Sequence, residues 1–193
     1  MSATPRRAIT LKRVVRNALF AYSKQSFLLR GCTAMDLQVV PTLDTLRHWL
    51  DDAGITYFEC DSCQALHLPH MQNFDGIFDA KIDLINDVIL FSALAEVKPS
   101  ALLALASDLS AINAGSLTVK AFLDIQDDNL PKLVVCQSFC AGAGLSFQQF
   151  AWFMRQSEEQ ISMVMLEASA HHLLFTPEDE EIENNESRDP FLH

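Results

Sequence analysis

The stretch Phe74-Asp75-Gly76-Ile77-Phe78-Asp79-Ala80-Lys81-Ile82-Asp83-Leu84-Ile85-Asn86-Asp87-Val88-Ile89-Leu90-Phe91-Ser92-Ala93-Leu94-Ala95 sets the architecture. Phe78, Ala80, Ile82 and Leu84 alternate with Asp79, Lys81 and Asp83, the period of a strand with one wet face. Asn86-Asp87 suits a tight turn, and Val88-Ile89-Leu90-Phe91 returns without a polar interruption, as a strand covered on both faces does. The stretch therefore reads as a central antiparallel hairpin. It carries no nucleophile paired with a base and no ligand cluster, so function has to be sought in the flanks.

Outward from the hairpin, the chain resolves into short amphipathic elements. Leu43, Leu46, Leu50 and Ala53 share one helical face, with Pro41 before it, Asp44 in the first turn and Gly54 where a left-handed cap belongs. Residues 55 to 60 and 64 to 68 read as two strands, which with the hairpin make four in a row; such short connections impose antiparallel pairing. Pro99 opens a second helix with Leu102, Leu105, Ala106, Leu109 and Ile112 as its stripe and Gly115 as its end. Residues 117 to 125 and 132 to 139 give a fifth and a sixth strand. Ser146 and Gln149 are spaced as a capping box, and Leu145 with Phe150 as a hydrophobic staple, at the start of a last helix running to about Ala168. The order α-ββββ-α-ββ-α predicts an α+β fold, an antiparallel sheet with helices on one face.

Composition narrows the classes of function. A chain of 193 residues suits one domain with a sizeable core, and it has no apolar run long enough for a transmembrane helix. Its 25 acids against 14 bases give a net charge of −11, which argues against a nucleic-acid surface, whose first requirement is clustered Lys and Arg. Five cysteines without a secretion signal suit a reducing, cytoplasmic compartment. The charge is uneven: Arg6, Arg7, Lys12, Arg13, Arg16, Lys24 and Arg30 are 7 of the 14 bases, and no acid precedes Asp36. Residues 1–34 are therefore expected to be a basic extension or the product of a misplaced start, with Met35 as the natural first residue and the domain spanning 35–175. Truncation to Met35 is expected to leave the melting temperature unchanged. Residues 176–193, with seven acids and one base, read as a solvated tail.

The one cluster with metal-ligand composition is Cys60-Asp61-Ser62-Cys63 followed by His67 and His70. Structural zinc sites usually place about a dozen residues between ligand pairs so that the chain can wrap the ion, whereas here both pairs fall on one hairpin. A redox Cys-x-x-Cys sits at a helix N-terminus, and this one lies between strands. The residues are read as a hairpin turn with half-buried cysteines, with no metal and no cofactor; the alternative is a small metal- or thiol-dependent sensor or enzyme using Cys60, Cys63, His67 and His70. Cys136 and Cys140 share a strand parity and read as core thiols. Gly142-Ala143-Gly144 lacks the Lys-Ser/Thr of a phosphate loop and reads as a connection. His171-His172 falls at a helix C-terminus, where an imidazolium suits the dipole. On the last helix, Trp152, Met163 and Leu166 project opposite the core stripe among Arg155, Gln156 and Glu159, as a contact surface for a protein partner or a second copy of the chain, or as a face covered by the first helix or the N-terminal segment.

The string Phe58-Glu59-Cys60-Asp61-Ser62-Cys63-Gln64-Ala65-Leu66-His67-Leu68-Pro69-His70-Met71-Gln72-Asn73-Phe74-Asp75-Gly76 closely resembles the enterobacterial YbjN family. So do Val119-Lys120-Ala121-Phe122-Leu123, Gln126-Asp127-Asp128-Asn129-Leu130-Pro131 and Gln156-Ser157-Glu158-Glu159-Gln160-Ile161-Ser162-Met163. The resemblance covers about Val39 to Leu174 and the closing Phe191-Leu192-His193, and leaves residues 1–34 without a counterpart. It implies a non-enzymatic, cytoplasmic sensory-transduction regulator with a class I type III secretion chaperone-like fold. It also implies kinship with the AmyR regulators of plant pathogens, which restrain exopolysaccharide (amylovoran), levan and virulence. It assigns no catalytic or ligand residues.

Overall fold

The computed structural model describes residues 37–60, 62–126, 129–176 and 179. Residues 1–34 and most of the acidic segment from 176 lie outside that range, so the expectations for them do too. Among the described residues the chain forms α1 (Leu43–Ala53), β1 (Phe58–Glu59), β2 (Leu66–His67), β3 (Ile77–Ile85), β4 (Val88–Glu96), α2 (Leu102–Gly115), β5 (Val119–Asp124), β6 (Lys132–Cys140) and α3 (Phe147–Ala170). Single 3-10 turns at Pro69–Asn73 and Pro99–Ala101 lead into β3 and α2. The six strands make one antiparallel sheet in the order β1-β2-β3-β4-β6-β5. Among the described residues the protein is thus an α+β fold with three helices.

The hairpin turn is tight because Asn86 and Asp87 both take positive φ, 47° and 61°, the conformation that two-residue hairpins need and these two residue types tolerate. Alternation along β4 sends Ile89, Phe91, Ala93 and Ala95 into the core, where they meet Ile82 of β3, Leu133 and Val135 of β6 and Val119 of β5. Leu46 and Leu50 of α1 and Phe150, Phe153, Ile161 and Met165 of α3 close the same face. Val88, Leu90 and Leu94 point the other way and are only half-buried, which corrects the expectation that this strand is covered on both sides. Phe78 departs from its expected place as well. A register shift between Ile77 and Asp79 turns Ile77 inward and leaves Phe78 42% exposed, with the Lys132 ammonium 5.6 Å above its ring.

Three corrections concern the flanks. The first two strands shrink to two residues each, because the segment between them turns to present its cysteines and does not extend the ladder. Cys136 is buried as expected, but Cys140, on the same side of β6 near its end, is exposed. In α2 only Leu105 of the expected stripe is fully buried, since the helix packs along the sheet edge and not across its face. There Asn113 does the work of a strand: its side-chain amide donates to the Ala121 carbonyl (2.9 Å) and its carbonyl accepts from the Ala121 N–H (2.8 Å), covering part of the open edge of β5.

Two isolated bridges close the domain, Val39 with Leu145 and Val97 with Leu174. Beyond the second, Thr176 donates through its backbone N–H and its hydroxyl to Asp179, whose other oxygen lies 2.8 Å from Lys98 Nζ. These contacts hold the Asp179 carboxyl down at about 2, the Lys98 hydrogen bond contributing most. Thr176 and Asp179 are thereby tied to Lys98.

The start of α3 is capped as its sequence reads. Ser146 Oγ accepts from the Gln149 N–H (3.3 Å) and Gln149 Oε1 accepts from the Ser146 N–H (2.8 Å), while Leu145 and Phe150 are both fully buried. Ser146→Ala removes one half of this reciprocal pair and is expected to lower stability by about 1 kcal/mol, measured by urea unfolding.

Candidate functional site

The first candidate lies where β1, β2 and β3 meet. β1 and β2 pair Phe58 with His67 and Glu59 with Leu66, so the chain between them must reverse within Cys60 to Ala65. That reversal brings Cys60 Sγ to 2.6 Å from Cys63 Sγ, and Cys63 Sγ to 3.1 Å from His67 Nε2. β2 in turn pairs Leu66 with Ile82 and His67 with Lys81, which sets the imidazole beside Asp79 of β3. His67 Nδ1 is 2.8 Å from Asp79 Oδ1, and the Phe58 ring stacks on the imidazole at 4.9 Å and 15°. His67 is almost fully buried, whereas both cysteines are half-buried and reachable from solvent.

The electrostatics of this corner follow from those contacts. The Cys63 thiol and then the Ser62 hydroxyl donate to the Cys60 sulfur, bringing its pKa down to about 6, and the same sulfur-to-sulfur contact holds Cys63 above its ordinary value. Burial works most strongly on His67, against its charged form, but the Asp79 carboxylate and the Cys60 sulfur together outweigh it and hold the imidazole above its usual pKa. The structure thus brings together three of the four residues singled out in the sequence. His70 is separate: it sits on the 3-10 turn and its Nε2 lies 2.9 Å from Glu158 Oε1, tying that turn to α3. Spacing along the chain alone does not reveal this convergence, which depends on the reversal between β1 and β2 and on the pairing of β2 with β3.

The second candidate is an open groove of about 880 Å³ beside the N-terminal half of α3. Trp152 stands at its rim, 62% exposed, above Phe139 of β6 and Phe153. Six of the lining side chains are glutamines, so the groove offers many amide donors and acceptors and no fixed charge. Thr118 Oγ1 donates to Gln160 Oε1 (2.9 Å) at one end. Gln137 of β6 is the unusual member, since it is 7% exposed and its side-chain carbonyl oxygen has no hydrogen-bond partner among the described residues. Of the three residues expected to form a contact surface, only Trp152 lines this groove; Met163 and Leu166 lie further along α3 and are half-buried. The signal for the groove was present in the sequence, as Gln149, Trp152, Gln156 and Gln160 recur at three- and four-residue intervals.

A sheet backed by helices, with an exposed aromatic at an uncharged groove, is compatible with a regulatory module. Residues 42–168 match the profile of the YbjN family, described as "Putative bacterial sensory transduction regulator". The chain belongs to the YbjN family. It is 73% identical over 155 residues to "Uncharacterized protein YbjN" of Escherichia coli strain K12, a match that covers 80% of this chain and 98% of the relative, and the same figures hold for the protein of that name in Shigella flexneri. Among solved structures it is similar to one described as "Crystal structure of YbjN, a putative transcription regulator from E. coli", with 76% identity, a TM-score of 0.71, and coverage of 72% of this chain and 99% of that one. No helix among the described residues is long and apolar enough to cross a membrane.

Proposed function

We propose that this chain is a non-enzymatic cytoplasmic regulator that acts by binding a protein partner, a second copy of itself included, through the groove at Trp152. The observation that carries this reading is the pairing of an exposed Trp152 with the buried, unpartnered carbonyl of Gln137 in one groove. A large aromatic at the rim supplies contact area, and an orphaned buried acceptor gains a full hydrogen bond when a donor such as a peptide N–H arrives. The glutamine lining suits the alternating donors and acceptors of a polypeptide better than it suits an ion. The net charge of −11 speaks against nucleic acid as the direct target. The restraint of exopolysaccharide and virulence that the resemblance implies is, on this reading, exerted through such a protein contact.

Trp152→Ala tests it. Because the side chain is mostly exposed, the melting temperature is expected to fall by no more than about 2 °C, while self-association in sedimentation, or retention of the partner copurified from native cells, falls at least tenfold. A loss of about 3 kcal/mol of stability would place Trp152 in the core and remove the reading.

A further inference from the structure

The geometry points to a binding site for one thiophilic divalent cation, zinc foremost, formed by Cys60 Sγ, Cys63 Sγ and His67 Nε2, with Asp79 orienting the imidazole. This site is independent of the groove and stands whether or not Trp152 binds a partner. The three donor atoms lie within 4.8 Å of one another. Tetrahedral zinc holds sulfur at about 2.3 Å and imidazole nitrogen at about 2.0 Å, so its donors sit roughly 3 to 4 Å apart, which small rotations of these side chains reach.

Three further features belong to a ligand set more than to a chance cluster. Asp79 accepts from Nδ1 at 2.8 Å, which fixes the tautomer and leaves the Nε2 lone pair facing the Cys63 sulfur, the carboxylate–histidine arrangement that metal sites use. The Ser62 hydroxyl lies 3.4 Å from Cys60 Sγ, placed to donate to a thiolate there. Phe58 stacked on His67 shields one side of the ring, while the half-buried cysteines leave a fourth position open toward solvent. Two thiolates offset the charge of a divalent ion. The ion would join the β1–β2 reversal to β3, where the ladder is only two residue pairs long on each side.

The probe is Co2+ followed by Zn2+, added to the full chain purified without a polyhistidine tag, stripped with chelator and kept reduced. The expected result is one equivalent of Co2+ with thiolate-to-cobalt charge transfer and the visible bands of a tetrahedral site, displaced by Zn2+. Cys60→Ser and Cys63→Ser are expected to weaken binding at least 100-fold, and His67→Ala at least tenfold. Asp79→Asn, which touches no metal, should weaken it by about 10- to 100-fold. His70→Ala, whose ring is held by Glu158, should leave the affinity unchanged. The wild-type spectrum decides the matter even if a variant fails to fold. Absence of the charge-transfer band in the wild type overturns the site, as does His67→Ala binding as tightly as wild type. Reduced protein that ignores both ions but joins Cys60 to Cys63 on mild oxidation overturns it too, and assigns the pair to redox chemistry.

Discussion

Phe91→Ala is expected to lower stability by about 3 to 5 kcal/mol, read from urea unfolding with an unchanged slope. Phe91 is fully buried in the middle of β4, the strand with full-length partners on both sides: it stands between Ile82 of β3 and Gln137 of β6. The backbone around it is locked by two ladders, so it cannot move to fill the space left by the ring. That rigidity puts the loss at the upper end for core aromatics, a large share of the total of roughly 5 to 15 kcal/mol that holds a domain of this size. A loss below about 2 kcal/mol would show that the sheet relaxes into the cavity.

The second large effect is expected at Gly76→Ala, at roughly 2 to 4 kcal/mol. Gly76 has φ of +86°, which an L side chain adopts only under strain, and a Cβ built there would come 2.4 Å from Leu174 Cδ1. Leu174 cannot swing away easily because it is 1% exposed and its backbone is bridged to Val97. The two contributions separate in a double-mutant cycle. In a Leu174→Ala background the steric part disappears, so Gly76→Ala should then cost about 1 to 2 kcal/mol, the conformational part alone. Strict additivity between the two substitutions would mean that Leu174 does not limit the space.

What could be read from the sequence was what depends on near neighbours. The Asn86-Asp87 turn, the Ser146–Gln149 cap and the Leu145–Phe150 staple are each written within a few residues, and each is present in the structure. What could not be read depends on register and on distant chain segments. The shift between Ile77 and Asp79 reverses the face of Phe78, and nothing in the alternation announces it. The imidazole of His67 meets Asp79 only because β2 pairs with β3 as it does, and the sulfur cluster depends on how tightly six residues reverse. Gln137 looks in the sequence like any polar residue on a strand; its unpaired carbonyl emerges only where α3 and β6 enclose it.

The sheet order carries a consequence for synthesis. β6 lies between β4 and β5, so β5 leaves the ribosome before its only strand partner exists, and β4 waits with one edge bare over the whole of Ile89 to Ala95. Translation proceeds at about 5 to 20 residues per second, so the interval lasts on the order of seconds. During it the nascent chain displays an apolar strand edge that other chains can join, and α3, which covers the same core, has not yet been made. The hazard for this domain therefore falls while residues 97 to 140 are being added, and the finished molecule, with β6 inserted, no longer shows it.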